Sequence, residues 1–429
     1  MRNFFNDKKI NSSFLQISFI FFVFINLIYF YSNFQIKISD YIYSLDELFI
    51  NYQAGFIRRG LLGEIAWQLN NFFSIDPKFF FNIFFFIIYL LQILLFFLLF
   101  RKYIVSKLIF FLIFFSPSLL LFHIYSPELY FLRDVIIKTI FLAHAFIFCN
   151  FYLIDKDKNK YLKYLKIFII PLLFFSILIH EYQVFSISLH FFITLSVVKT
   201  KNEIKKIFKY YLFLSIPILL VIIFFGNQAQ FEDLSNILMK FNVKLNPYLG
   251  GGLYHYIGGF YKWHFFYFSY RDFVNLLLSF VLSVLVFYVL FQYLIEKRII
   301  KFHTKYQSYY LFFFIPAVIP FLLTSDHGRN LGFISMYLVT FYSTLNFDKI
   351  KFTKQLYIIY QNILFKSLIF IFIFFYIFMW KLDQVAGFGL EGKPNDIFQS
   401  SLFAEFVKLI KFLYMYIDYN IINLPEIRL

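Results

Sequence analysis

The stretch Phe79–Phe100, FFFNIFFFIIYLLQILLFFLLF, decides the architecture. It carries no charged side chain, and as a helix rising ~1.5 Å per residue it is long enough to cross the roughly 30 Å of hydrocarbon in a bilayer. It is apolar on every side, whereas a strand of a membrane barrel alternates between a lipid face and a polar lumen face. Phe273–Ile295 repeats the pattern, and an apolar run of about Phe14–Tyr31 opens the chain behind Arg2, Lys8 and Lys9. That first run lacks a small-residue cleavage site, so it reads as a first span and not as a signal peptide. With hydrophobic residues at 61% and 72 phenylalanines among 429 residues, no water-soluble domain of this size would hide so much apolar surface. The predicted fold is all-α: one polytopic transmembrane helical bundle over residues 1–429.

Working outward, lysine and arginine in short loops mark the cytoplasmic side of a membrane protein. Here they cluster at Arg2–Lys9, Arg101–Lys107, Lys156–Lys166, Lys199–Lys209, Lys297–Lys305 and Lys349–Lys354, in every second loop. The formal charge of +16 is distributed over these patches, so it reads as a topology signal and not as a nucleic-acid surface. The segments between them, Asn33–Lys78, Ser126–Asp134, His180–Gln183, Asn227–Asp272, Ser325–Asn330 and the tail after Lys381, then face outward. This pattern predicts about eleven spans, with the N-terminus cytoplasmic and short helices on the outer face. Heavy use of Phe, Ile, Lys, Asn and Tyr matches an AT-rich bacterial genome, and hence a bacterial inner membrane. Three regions stand out within the single domain: a first outer loop at 34–78 with a juxtamembrane helix, a large outer loop at 227–272, and an outer tail at 382–429 with an interfacial helix. In that tail Ser401, Glu405 and Lys408 share a polar stripe, with Lys411 beside it.

Lys166 and Lys199 are both predicted cytoplasmic although too few residues separate them for two full spans. The chain must dip and return at Ile179-His180-Glu181-Tyr182-Gln183, leaving His180 and Glu181 below the outer surface. One long tilted span is the alternative, and it breaks the lysine alternation downstream.

Ionisable groups at membrane depth are costly and are functional hypotheses by default. The first outer loop holds Asp46-Glu47 and then Gly55-Phe56-Ile57-Arg58-Arg59-Gly60-Leu61-Leu62-Gly63-Glu64. Arg58 and Arg59 precede a turn into a short helix, where guanidinium forks and helix N-terminal amides suit a phosphate. An arginine pair anchoring an interfacial helix to lipid headgroups is the competing reading. In the second outer loop Arg133 and Glu128 stand open, while Asp134 and Lys138, four residues apart, are expected to neutralise one another. His180-Glu181 suits a proton acceptor or metal ligands, against an interhelical hydrogen bond as the plainer role. Turn chemistry accounts for the Asp and Gly of Asp326-His327-Gly328-Arg329 but requires neither His327 nor Arg329, which marks Arg329 as a second anion contact. In the large loop Gly250-Gly251-Gly252 and Gly258-Gly259 adjoin Tyr254, Tyr256, Trp263 and Tyr267, a setting for sugar or lipid contact or for an aromatic belt. His123, His144 and His190 read as packed residues. The single cysteine, Cys149, rules out a disulfide framework and a cysteine metal cluster. Walker, dinucleotide, zincin and serine-elbow motifs are absent, which removes support for ATP-driven transport and serine hydrolysis.

An N-inside first span, the acidic pair Asp46-Glu47 early in a long outer loop, a juxtamembrane helix after it and charged outward turns resemble the membrane glycosyltransferases of the GT-C architecture. The likeness covers most of the chain in topology and Asp46-Glu47 in motif. It implies a sugar carried on a polyprenyl phosphate as donor, with Asp46 as base, Glu47 supporting it, and Arg58, Arg59 and Arg329 on the lipid phosphate. A divalent metal is compatible with it, no other cofactor is implied, and the expected partners are a lipid-linked sugar or oligosaccharide and membrane lipids, not nucleic acid. The chain departs from some members in lacking room for a large soluble domain in its tail. An O-antigen or capsule repeat-unit polymerase resembles the same description. A transporter or flippase for a lipid-linked or anionic substrate predicts polar residues through the full depth of the spans, whereas this chain concentrates them near one surface and shows no inverted repeat, which ranks transport below transfer.

Overall fold

The computed structural model describes residues 8–35, 45, 47–57, 59–101, 107–123, 130–198, 200–223, 228–239, 243, 270–302, 309–323, 327–348, 351, 354, 367–368, 371–372 and 376. Asp46, Arg58, Glu128, Asp326, most of the 227–272 loop and the 382–429 tail lie outside them, as does the side chain of His327. Among the described residues almost every ordered element is a helix, and five helices are long and apolar enough to cross a membrane.

Helix α1 (Lys8–Gln35) carries the crossing segment Ser13–Tyr31. A short helix α2 (Gly60–Phe73) precedes α3 (Pro77–Phe100). Asp76 caps α3 by accepting the Lys78 amide at 3.0 Å, with proline at the first turn, where a missing N–H costs nothing. Two amides pin α1 to α3: Asn26 Nδ2 donates to the Phe86 carbonyl at 3.1 Å, and Asn82 Nδ2 donates to the Phe30 carbonyl at 2.9 Å. Phe19 and Phe22 pack edge-on against Phe97 further along the pair. The run after Lys107, expected to be a whole span, forms a helix α4 only over Lys107–Phe114. Pro117 ends it, and the irregular backbone beyond lies within the protein, with Leu119, Leu121 and Phe122 buried.

Helix α5 (Asp134–Ile154) ends in a π-helical segment, Phe148–Ile154, and α6 (Lys158–Ile179) runs back from the Asp155–Lys158 turn. The chain then turns at His180–Tyr182 into α7 (Gln183–Leu195). Tyr161, in the first turn of α6, donates to Thr194 near the end of α7 at 3.2 Å, so the two helices are the arms of a hairpin. Thr200 and Glu203 form a capping box that opens the lysine-bearing helix α8 (Lys201–Leu212). Helices α9 (Ser215–Ile223) and α10 (Gln228–Met239) follow. Helix α11 joins Tyr270–Phe280, a π turn at Val281–Leu285 and Val286–Glu296.

Strands β1 (Ile300–Lys301) and β2 (Asn346–Phe347) pair antiparallel, with Ile300 opposite Phe347. They tie the end of α11 to the end of α13 (His327–Ser343), which follows the proline-bearing α12 (Tyr310–Leu323). Helix α13 is central: Gly328 through Leu345 are all buried, the polar Asn330, Ser335, Thr340 and Ser343 included. Its neighbours include α5, α11 and α12, and this placement carries Arg329, in its first turn, into the interior.

Candidate functional site

At the end of the bundle away from the α8 lysines, α2, α5, α7 and α13 begin and α6 ends. Helix N-termini present unpaired amides and a positive dipole end, so this is the end that favours carboxylates and anions. Glu47, Asp134 and Glu181 are all found there.

The backbone brings Glu47 in by close packing. A Cβ on Gly63 would sit 2.0 Å from the Ile50 carbonyl and 2.6 Å from that of Leu48, and one on Gly60 would strike the Tyr52 ring at 2.3 Å. Only hydrogen at Gly63 lets α2 lie on the 48–52 backbone, while at Gly60 it leaves room for the Tyr52 ring. Glu64 holds the same segment by accepting the Tyr52 amide at 3.0 Å. Burial, and then the Glu64 carboxylate, push the Tyr52 phenol above its ordinary range; burial alone does the same to Tyr130. Arg59, ahead of α2, adopts a left-handed backbone at φ 65°, a conformation that costs a non-glycine residue about 1–3 kcal/mol and is held in place by surrounding contacts.

Those contacts are ionic. Arg59 donates from Nε to both Glu181 oxygens at 3.0 and 2.8 Å, from Nη2 to Oε1 at 2.5 Å, and from Nη1 to Glu47 Oε2 at 3.2 Å. Arg133 donates to the same Glu47 oxygen at 3.1 Å and also to the Glu47 carbonyl. Arg329 forks onto Asp134, from Nε to Oδ2 and from Nη2 to Oδ1 at 2.6 Å, while its Nη2 also stands 2.6 Å from His180 Nε2. His180 Nε2 is 3.3 Å from Asp134 Oδ1, and its Nδ1 is 3.5 Å from Glu181 Oε2. The imidazole thus links an Arg59–Arg133–Glu47–Glu181 half to an Arg329–Asp134 half, and Tyr182 lays its ring 5.2 Å from the Arg329 guanidinium. Five separate segments of chain meet in this one network.

Of the residues singled out in the sequence, Glu47, Arg59, Arg133, His180, Glu181 and Arg329 are brought together, and Asp134 joins them. The expected pairing of Asp134 with Lys138 is not formed. Asp134 belongs to Arg329, whose bidentate fork outcompetes a single ammonium. Lys138 Nζ, fully buried one turn further along α5, has no hydrogen-bond partner among the described residues and rests 4.7 Å from the Phe122 ring centre and 5.0 Å from that of Phe333. The guanidinium groups read as anion contacts are held by carboxylates of the chain itself. Those carboxylates are correspondingly committed, and no group of three or more His, Cys, Asp or Glu among the described residues is arranged to hold a metal ion.

Polar side chains are not confined to this end, which corrects the one-surface distribution inferred from the loops. Toward the lysine-bearing end, His144 Nδ1 meets His190 Nδ1 at 2.9 Å, and His144 Nε2 meets the Tyr161 hydroxyl at 2.9 Å. Thr194 Oγ1 joins Tyr161 to Tyr211, the latter at 2.9 Å. His144 and His190 are packed, as expected, but packed against each other. Their separation of 46 positions hides this pairing from the sequence, and the one visible signal is the stripe Ser186, His190 and Thr194 along α7.

No protein-family model matches the chain, and neither a curated protein nor a solved structure matches it.

Proposed function

We infer that the chain transfers a glycosyl group from a polyprenyl-phosphate-linked sugar to an acceptor at the outer membrane face, in the synthesis of a surface polysaccharide. The reaction needs a group to take the acceptor hydroxyl proton and cations to stabilise the departing phosphate. The observation that carries the reading is the buried ammonium of Lys138 beside the ionic network. Among the described residues Arg59, Arg133 and Arg329 are paired with Glu47, Glu181 and Asp134, while the buried Lys138 ammonium beside them has no hydrogen-bond partner, at the end of the bundle where helix N-termini already favour anions. In this reading a lipid phosphate is the anion that Lys138 and the guanidinium groups receive. When it binds, one or more guanidinium forks exchange a carboxylate for a phosphate oxygen, and the released Glu47 or Glu181 becomes a base. His180, between the two halves, carries the proton that a freed carboxylate takes.

The test is genetic and chemical. Deleting the gene in its native host, then comparing surface glycan by gel and mass spectrometry, is expected to show a shortened or missing polysaccharide. Complementation with the wild-type gene restores it, and Lys138→Met, Glu47→Gln or Arg329→Ala does not. A glycan unchanged by the deletion removes the transferase reading, and chains stopped at a single repeat unit assign the chain as a repeat-unit polymerase.

A second reading is favoured by a specific observation. The buried string at His144, His190, Tyr161 and Thr194 puts polar groups deep in the spans, as a transporter or flippase for a lipid-linked or anionic substrate requires. Intact chains that accumulate on the inner leaflet of the deletion strain select this reading over transfer.

A further inference from the structure

The string has a polarity that its hydrogen bonds determine. The Tyr161 hydroxyl donates to Thr194 Oγ1 at 3.2 Å, and Thr194 donates to the His190 carbonyl at 3.0 Å. With its proton so used, Tyr161 must accept from His144, so the His144 proton is on Nε2. A neutral His144 then offers a bare Nδ1, which accepts from His190 Nδ1 at 2.9 Å. His190 is left with a bare lone pair on Nε2, and that atom is buried with no hydrogen-bond partner among the described residues. At the far end Thr194 has spent its own proton, so the Tyr211 hydroxyl donates to it at 2.9 Å, from the helix that carries Lys201, Lys205, Lys206 and Lys209. The string thus has an open acceptor at one end and a hydroxyl on the lysine-bearing helix at the other.

We propose that His190, His144, Tyr161, Thr194 and Tyr211 form a proton shuttle, taking up a proton at His190 Nε2 and releasing one at Tyr211 toward the lysine-bearing end. The steps balance. An N–H bond forms at His190 Nε2 as the His190 Nδ1 proton passes to His144 Nδ1. The His144 Nε2 proton passes to the Tyr161 oxygen, and the Tyr161 proton to Thr194. The Thr194 proton turns from the His190 carbonyl to Tyr211, which gives its own to water. One proton enters, one leaves, and every group ends neutral. The passage reverses the tautomers, and a proton moving the other way resets them. Above His190, one helical turn along α7, stands Ser186, with Gln183 beside it and the Tyr337 hydroxyl of α13 against it. Phe141 of α5 closes the side of the His190 ring edge-on. Of the elements packed against α7, α5 and α13 carry Lys138, Asp134 and Arg329 on the side of the ionic network, while α6 and α8 carry Lys158, Lys160, Lys163, Lys166, Lys201, Glu203, Lys205, Lys206 and Lys209 on the Tyr211 side.

Full-length protein with ¹⁵N-labelled histidine, reconstituted in phosphatidylcholine bilayers and transferred to deuterated water, tests the proposal by solid-state NMR without any substrate. The His144 and His190 N–H signals are expected to disappear within minutes despite full burial, and Thr194→Val or Tyr211→Phe is expected to slow the loss by about tenfold or more. Protons that persist for hours in the wild type overturn the shuttle, and this result stands whether or not a variant folds. Rapid loss that both variants leave unchanged, with the His144–His190 coupling retained, also overturns it, because solvent then arrives by local opening.

Discussion

Arg329 and Asp134 are 195 positions apart and share a bidentate bond in the interior. Removing one member of a buried pair strands the other charge, at a cost of roughly 3–5 kcal/mol, whereas replacing both with apolar or neutral groups of similar size is far milder. Arg329→Met and Asp134→Asn are each expected to lower the unfolding free energy in detergent by that order, and the double variant by much less than the sum. Additive losses in a double-mutant cycle would mean that the pair is not formed. Lys138 poses the converse case. Its ammonium is buried against aromatic faces with no hydrogen-bond partner among the described residues, so Lys138→Met keeps the volume and removes a buried charge that lacks a hydrogen bond. The variant is expected to be at least as stable as the wild type in thermal unfolding while failing to restore the glycan. Lower stability, or full complementation, contradicts the role given to this lysine. Asp134 also marks where reading the sequence stopped. The four-residue spacing names Lys138 as its partner, and nothing local signals that a guanidinium from a distant helix would bind it more tightly.

At the scale of elements, the network depends on α2 lying against the 48–52 segment, and that approach depends on Gly60 and Gly63. Gly63→Ala places a methyl group into two backbone carbonyls, neither of which is a flexible side-chain end. It is expected to cost about 1–3 kcal/mol by overpacking and to displace Glu47 from Arg133. The check is loss of complementation together with a lowered thermal midpoint; a variant with both unchanged would show that the segment tolerates a shift. The α6–α7 hairpin was legible because two lysine patches lie too close for paired full spans, and His180 marks its tip. The early end of α4 was less so, since an apolar run reads as a span until Pro117 interrupts it, and the length of the run masked that interruption. The long apolar helices were the plainest of all: they need only length and the absence of charge. The meeting of their polar residues depends on which helices are neighbours, which periodicity does not encode.

For the whole molecule, the Asp155–Lys158 turn, the β1–β2 ladder and helix α8 belong to the end opposite the ionic network. Single cysteines in a Cys149→Ser background are expected to report this with impermeant thiol reagents. Lys156→Cys and Arg298→Cys, both exposed, label from the cytoplasmic side, and Gln53→Cys, also exposed, labels from outside. Labelling of positions 53 and 156 from the same side would break the alternation on which the outer-face reading of the network depends.

The two arms of the hairpin differ in length. Helix α7 has 13 residues against 22 for α6, so at ~1.5 Å per residue its apolar height is about 20 Å, well short of the ~30 Å of an ordinary hydrocarbon layer. The bilayer around the hairpin is expected to thin toward this short arm where its neighbours do not cover it, at a cost of fractions of a kcal/mol per ångström of mismatch. Turnover in reconstituted membranes is accordingly expected to depend on acyl-chain length, falling as chains lengthen from sixteen toward about twenty-two carbons. A protein built with one arm this short belongs in a compliant stretch of bilayer, and the host membrane's thickness becomes part of its operating conditions.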